Sequence, residues 1–267
     1  MVIVIISSGM TMSGTTEPVP VITMAGFMGA KIPLFDEMGR TFAAMNSQDL
    51  MDDLDHHSST FDTPLRSDAF SISDEMKIER IEAHVKGILE TLGMDLTNDS
   101  LSGTPRRVAK MYVKEAFGGL NPDKKPTLGT FDNSYKYGEM LVEKNIVVYS
   151  TCEHHLLPIV GRAHVAYLSQ DRVIGLSKMN RIVDFFARRP QVQERLTRQI
   201  TAALQEALGT LDVAVLIDAK HLCVNARGIR DIDSSTVTAE YGGRFATEEQ
   251  LKQDFLSYVQ LKTEFGD

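Results

Sequence analysis

The hydrophobic period of this chain switches from two to helical and back to two between residues 140 and 225, and few architectures accept that order. "MLVEKNIVVYST" and "GRAHVAYLS" alternate apolar and polar side chains, which predicts two strands with one buried face each. "SKMNRIVDFFARR" gathers Met179, Ile182, Val183 and Phe186 on one side of a helix that must stop before Pro190. "PQVQERLTRQITAALQEALG" gathers Leu196, Ile200, Leu204 and Leu208, with Gly209 placed to end it. Two more strands are read in "DVAVLIDA" and "KHLCVNARG", a further short extended piece in "SSTVTAEYGG", and a terminal helix in "TEEQLKQDFLSYVQL". The order β-β-α-α-β-β predicts an α+β fold, an antiparallel sheet with helices on one face.

Helices precede that unit. "SISDEMKIERIEAHVKGILETLG" repeats Ile78, Ile81, Val85, Ile88 and Leu92 at helical spacing, with Ser73 to cap its start and Gly93 to end it. "TPRRVAKMYV" reads as a second helix, with Thr104 as N-cap, Pro105 in its first turn, and Val108, Met111 and Tyr112 turned inward. Up to about residue 72 no sustained period exists. That stretch holds eight of the thirteen methionines and nine acids against three bases. It predicts a mostly disordered extension, in which His56 and His57 are inert. The boundaries read from this pattern are an extension over 1–72, a helical region over 73–135 and the sheet-bearing region over 136–267.

The net charge of −8 disfavours nucleic acid as a partner, yet leaves room for a local cationic pocket. The opening "MVIVII" has no basic start and is far too short for a membrane span, so neither a signal peptide nor a membrane segment is expected. Two cysteines cannot build a disulfide framework, which points to a reducing, cytoplasmic setting.

Each of those cysteines has a histidine within three residues. In "STCEHHLLP", Cys152 and His155 are close enough for one turn to aim both at a common centre. In "KHLCVNARG", an extended backbone would send His221 and Cys223 to the same side. Two sulfurs and one imidazole suit zinc, and a Cys₂His set with an open fourth position is a catalytic arrangement. Cys152, His155 and Cys223 are the assigned ligands, with His154 and His221 beside them. Other readings stand at this point. A structural zinc would take a fourth ligand such as His221, and the cysteines alone would pass for small buried hydrophobes. No CxxC spacing supports a redox pair. Glu153 either orients a neighbour or forms a subunit contact. His84 and His164 read as structural.

"CEHH", "GLSKMNRIVDFFARRPQVQERLT", "HLCVNARGIRD" and "TPRRVAKMYV" together resemble GTP cyclohydrolase I, and the resemblance covers roughly residues 75–262. It implies the tunnelling fold (T-fold), whose sheets join subunits into pentameric rings that stack as a homodecamer, with active sites at subunit boundaries. Ring closure would pair the exposed edges of a small open sheet. The implied reaction takes GTP and water to 7,8-dihydroneopterin triphosphate and formate, the entry to folate or biopterin synthesis, with one zinc ion per subunit. The family's ligand set falls on Cys152, His155 and Cys223. Its proton donor to guanine N7 falls on His221, a second acid–base group on His154, and a ribose-contacting serine on Ser177. Its purine anchor falls on Glu194, whose carboxylate would accept from guanine N1–H and the 2-amino group, with Gln193 helping beside it. Arg107, Lys110, Lys178, Arg181 and Arg227 match its phosphate-binding positions. By spacing alone these cations would read as solvated helix faces.

Two rivals remain on the same fold. A non-catalytic zinc-stabilised scaffold would need four protein ligands and no acid–base pair. Another tunnelling-fold enzyme, acting on a pterin or deazapurine, would share the anchoring glutamate. The combined CEHH and HLC pattern favours the hydrolase.

Overall fold

Helix α1, Asp74–Thr91, starts where the Ser73 side chain accepts from the Met76 amide at 3.3 Å, and Gly93 follows its end at φ 77°. Both ends carry the residues that the sequence offers for capping. The computed structural model describes residues 61–262; the extension read upstream, with His56 and His57, lies outside the described residues as far as residue 60. Along α1 only Ile78 of the apolar stripe is fully buried, while Ile88 is 59% and Leu92 71% exposed.

Asp99–Ser102 (α2) and Thr104–Met111 (α3) follow, with α3 packed on α1. Two expectations change here. Gly103, not Thr104, is the N-cap of α3; Thr104 is already helical, and its hydroxyl accepts from the Arg107 guanidinium at 3.1 Å. Met111 is exposed rather than inward, because the helix gives way at once to a π turn over Tyr112–Ala116. The packing passes to Tyr112, which stacks on Phe117 at 5.0 Å.

The main sheet has the order β5-β2-β3-β6-β7, built from Met140–Cys152 (β2), Pro158–Leu168 (β3), Pro190–Gln191 (β5), Val213–His221 (β6) and Thr236–Tyr241 (β7). Its pairs are antiparallel except the short β5, which runs parallel to the end of β2. Thr130–Asp132 (β1) and Arg172–Ile174 (β4) form a separate antiparallel ribbon. Helices Leu176–Ala187 (α4) and Gln193–Leu208 (α5) share one core with the sheet, burying Met179, Ile182, Val183, Leu196, Ile200 and Leu204 with Val165, Tyr167, Val215 and Ile217. Each large side chain buried this way contributes about 1.5–3 kcal/mol. Gly209 closes α5 in the left-handed region, φ 67°. Gly161 lets β3 lie against β6, where any side chain would meet the Asp218 carbonyl.

The opposite face is covered in part by a second core. Phe245 and Phe255, from Arg244–Thr247 (α7) and Glu249–Gln260 (α8), pack with Met140, Ala166, Leu168 and Ala214. The extended piece read in "SSTVTAEYGG" is β7, but "KHLCVNARG" is not a strand of its own. β6 ends at His221, paired with Ile159 beside the start of β3, and the backbone then winds into the short helix Leu222–Asn225 (α6). Among the described residues no helix is long and apolar enough to cross a membrane.

Strand β2 does not keep one alternation along its length, as its sequence suggests. Glu143 pairs with Val165 and Ile146 with Ala163, so β2 spends three residues where β3 spends two. The extra residue makes a β-bulge with Asn145 in the left-handed region, φ 61°, which asparagine tolerates better than most side chains. Before the bulge Leu141 packs with the α4–α5 core and Met140 with the α8 core; after it Ile146 and Val148 belong to the α4–α5 core. The face of every later residue of β2, Cys152 included, is set by this shift.

His164 braces the bulge. Its Nδ1 accepts from the Asn145 N–H at 3.4 Å, so the neutral ring is the one that fits. Burial lowers its pKa, with Asp218 pulling upward and Lys144 adding to the drop. A group whose pKa is lower when folded binds more protons when unfolded, so its contribution is complete above the ordinary imidazole value of 6.5 and is lost as pH falls below it. His164→Gln is expected to flatten part of the acid slope in thermal midpoints taken from roughly pH 7.5 to 5 at one protein concentration. An unchanged slope would clear His164 of this role.

Candidate metal centre and active site

Cys152 is the last residue of β2, and the chain reverses immediately after it. The Cys152 N–H donates to Leu157 O at 2.8 Å and the Leu156 N–H returns to Cys152 O at 2.9 Å, with Leu156 at φ 52°. The Glu153 N–H donates to Gln191 O at 3.0 Å, which ties this turn to β5. The turn presents His155, and α6 brings Cys223 from the far end of β6. The donor atoms of Cys152, His155 and Cys223 all lie within 4.8 Å of one another, a group that could hold a metal ion. Both cysteines are free of disulfides.

The HLC segment reaches this result by a different route from the one expected. It is not extended: His221 closes β6, Cys223 lies in α6, and His221 is not a member of the three-donor group. The Cys223 thiol donates to the Cys152 sulfur. That bond is the largest of the effects that hold the Cys152 thiol well below the ordinary thiol range; burial opposes it, and His155 with the backbone N–H groups of His154 and His155 adds to the drop. The same bond pushes Cys223 well above the ordinary thiol range. A cation that binds both sulfurs as thiolates must displace any proton they carry.

His221 is drawn toward α5. Its Nε2 lies 2.8 Å from Gln193 Oε1, while Gln193 Nε2 donates to Ile217 O at 3.0 Å, Thr236 O at 2.8 Å and Thr238 Oγ1 at 3.1 Å. Those oxygens fix the amide with Oε1 toward His221, so a neutral His221 carries its proton on Nε2 and keeps Nδ1 as the acceptor. Burial lowers the His221 pKa, opposed by the charges of Cys152 and Glu194. Gln193, expected beside guanine, is buried with its amide engaged by the protein itself. Glu194, one residue on, is exposed in the first turn of α5.

The third residue of that turn was not singled out in the sequence. Arg195 is buried, and its guanidinium forks onto Glu153, Nη1 donating to Oε2 at 2.6 Å and Nη2 to Oε1 at 3.2 Å. Glu153 therefore orients its surroundings through a contact within its own chain. Its Oε1 also lies 3.9 Å from His154 Nε2, and His154 Nδ1 lies 3.8 Å from Cys152 Sγ. Removing one partner of so buried a pair costs about 3–5 kcal/mol. The available signal was charge pattern: Arg195 sits directly before Leu196 on a helix buried on most sides, where an unpaired cation would not be accepted.

The remaining expected residues are placed as follows. Ser177, Lys178 and Arg181 lie near the start of α4, with Ser177 and Arg181 exposed. Arg227 follows α6, near enough to Cys223 to pull its thiol downward. Arg107 and Lys110 are exposed on α3, and among the described residues no hydrogen bond or ion pair joins them to the Cys–His–Cys group.

Comparison with known proteins places the chain among relatives of one description. The family profile described as GTP cyclohydrolase I matches residues 81–260. A protein of Flavobacterium johnsoniae named GTP cyclohydrolase 1 is 67% identical over 223 residues, covering 83% of this chain and 100% of the relative. The GTP cyclohydrolase 1 of Aeromonas salmonicida is 53% identical over 195 residues, 73% of this chain and 88% of the relative. That of Yersinia pestis is 52% identical over 199 residues, 74% and 90% respectively.

Proposed function

The chain belongs to the GTP cyclohydrolase I family, and from that premise we propose that it hydrolyses GTP to 7,8-dihydroneopterin triphosphate and formate, with zinc held by Cys152, His155 and Cys223. The observation that carries this reading is the convergence of three soft donors from two separate segments while His221 is held apart by Gln193. A scaffold with four protein ligands is disfavoured by the same arrangement. Two sulfurs and one imidazole nitrogen within 4.8 Å of one another fit a divalent ion of zinc's preferences. When bound, zinc supplies Lewis acidity that makes water a usable nucleophile near neutral pH.

The chain's own residues supply the rest. His221 meets guanine with Nδ1, the nitrogen that Gln193 leaves available, and moves the proton exchanged with N7 there. His154, in the ligand turn, serves as the second acid–base group. Glu194 accepts from guanine N1–H and the 2-amino group at the exposed start of α5, and Gln193 contributes by holding His221. Ser177 assists at the ribose. Lys178, Arg181 and Arg227 take the triphosphate, Arg as a fork and Lys as a point charge. Arg107 and Lys110 complete that set from α3 in an assembled ring. The homodecamer of two pentamers is what the family implies, and the exposed Ile88 of α1 and Leu92 just after it offer apolar surface for a subunit contact. The free thiols support a reducing, cytoplasmic setting.

Purified protein given GTP is expected to release formate and yield a product that becomes fluorescent on oxidation. A zinc chelator should stop turnover and added zinc restore it. Formate release unaffected by complete removal of the metal would overturn the metal assignment, and no formate from zinc-loaded protein would overturn the activity.

A further inference from the structure

The first turn of α5 carries three consecutive side chains that reach three different parts of the site. Gln193 grips His221 at the end of β6, from which α6 and Cys223 continue. Glu194 is the exposed purine anchor. Arg195 grips Glu153, the residue between Cys152 and His155. The two arms of the metal centre are therefore fastened to one rigid helical turn on either side of the anchor. We propose that Arg195, through Glu153, is a positioning residue that holds the Cys152–His155 turn in the geometry needed to keep the metal. This rests on the reading that Cys152, His155 and Cys223 hold zinc.

Several features favour positioning over mere stability. The fork is bidentate and Arg195 is only 4% exposed, so the carboxylate is fixed in direction as well as in charge. The carboxylate sits on the backbone segment that supplies two of the three donors, and the Glu153 N–H is itself held by Gln191 O. From the Glu153 side chain that Arg195 grips, Cys152 is one residue away and His155 two. Groups that orient ligands from behind commonly change metal affinity about 10–100-fold when removed.

The test compares the zinc-loaded full chain with Arg195→Lys and with the double variant Glu153→Gln/Arg195→Met. Arg195→Lys keeps the charge but loses the fork; the double variant removes both charges and leaves neither buried alone. Release of zinc to a chromogenic chelator is read beside the thermal midpoint of the metal-free proteins and the kcat and KM for GTP. The double variant is expected to keep a metal-free midpoint close to the parent, yet release zinc about 10–100-fold faster. Its kcat should fall while KM changes less than about threefold. Arg195→Lys should lie between parent and double variant. Parent-like zinc release from a folded double variant would overturn the proposal. Should the double variant not fold, parent-like release from Arg195→Lys would overturn it equally. A parent protein that takes up no zinc would instead overturn the metal reading on which this one stands.

Discussion

Cys223→Ala is expected to lose bound zinc and GTP turnover together, with activity down on the order of 10³-fold or more. The reason is the small number of donors. Three protein atoms within 4.8 Å of one another form the group, and two of them come from a single turn. Without Cys223 the pair that remains comes from Cys152 and His155 alone, and no donor binds from α6. The same substitution removes the contact that lowers the Cys152 thiol most, so that thiol should rise toward the ordinary range for a buried thiol. Zinc content by elemental analysis, formate release and far-ultraviolet circular dichroism decide the matter. Cys223 is only partly buried at the edge of the main core, so the fold should persist. Full activity with stoichiometric zinc in this variant would refute the ligand set.

His221→Ala should separate metal binding from turnover. His221 is outside the three-donor group and its Nε2 is engaged by Gln193, so zinc should remain at one per chain. Turnover should fall about 10²–10⁴-fold, the usual loss when a placed acid–base group is removed. Loss of zinc along with activity would make His221 a ligand and revive the structural-zinc reading. Undiminished formate release would end its assignment as a proton donor. The substitution also leaves Gln193 Oε1 without this partner in a buried setting, at a cost of about 1–3 kcal/mol. A melting curve for the metal-free variant therefore belongs in the same experiment.

Much of this arrangement was legible in the chain, because its strongest signals are local. Ser73 and Gly93 marked the ends of α1, and Met179, Ile182, Leu196 and Ile200 marked the faces of α4 and α5, since periodic burial imprints itself on spacing. The three-donor group was legible for a related reason: sulfur and imidazole within three positions have few structural uses together. What escaped depended on contacts distant in sequence. HLC looks like strand, but its pairing partner β3 begins near Ile159, and the backbone winds up where the ladder stops. Thr104 looks like a cap, but Gly103 already holds that position. Gln193 looks like a surface amide meant for a base, and only tertiary packing reveals three internal acceptors around its nitrogen. Arg195 needed Glu153, 42 residues away, before its burial made sense. The bulge in β2 was hidden for another reason. Met140, Val142, Ile146 and Val148 all fall on even positions, so the count of apolar residues runs on across the place where the strand changes sides and conceals it.

That hidden change of sides turns the metal site into a matter of parity. From Asn145 onward, whether Cys152 looks toward α5 or toward α8 depends on an odd or even count of residues, not on any attraction of the sulfur itself. Natural variation in the length of this stretch should come in twos, or come paired with the loss or gain of another kink. A lone insertion could leave a sound sheet that presents its thiol to the wrong side.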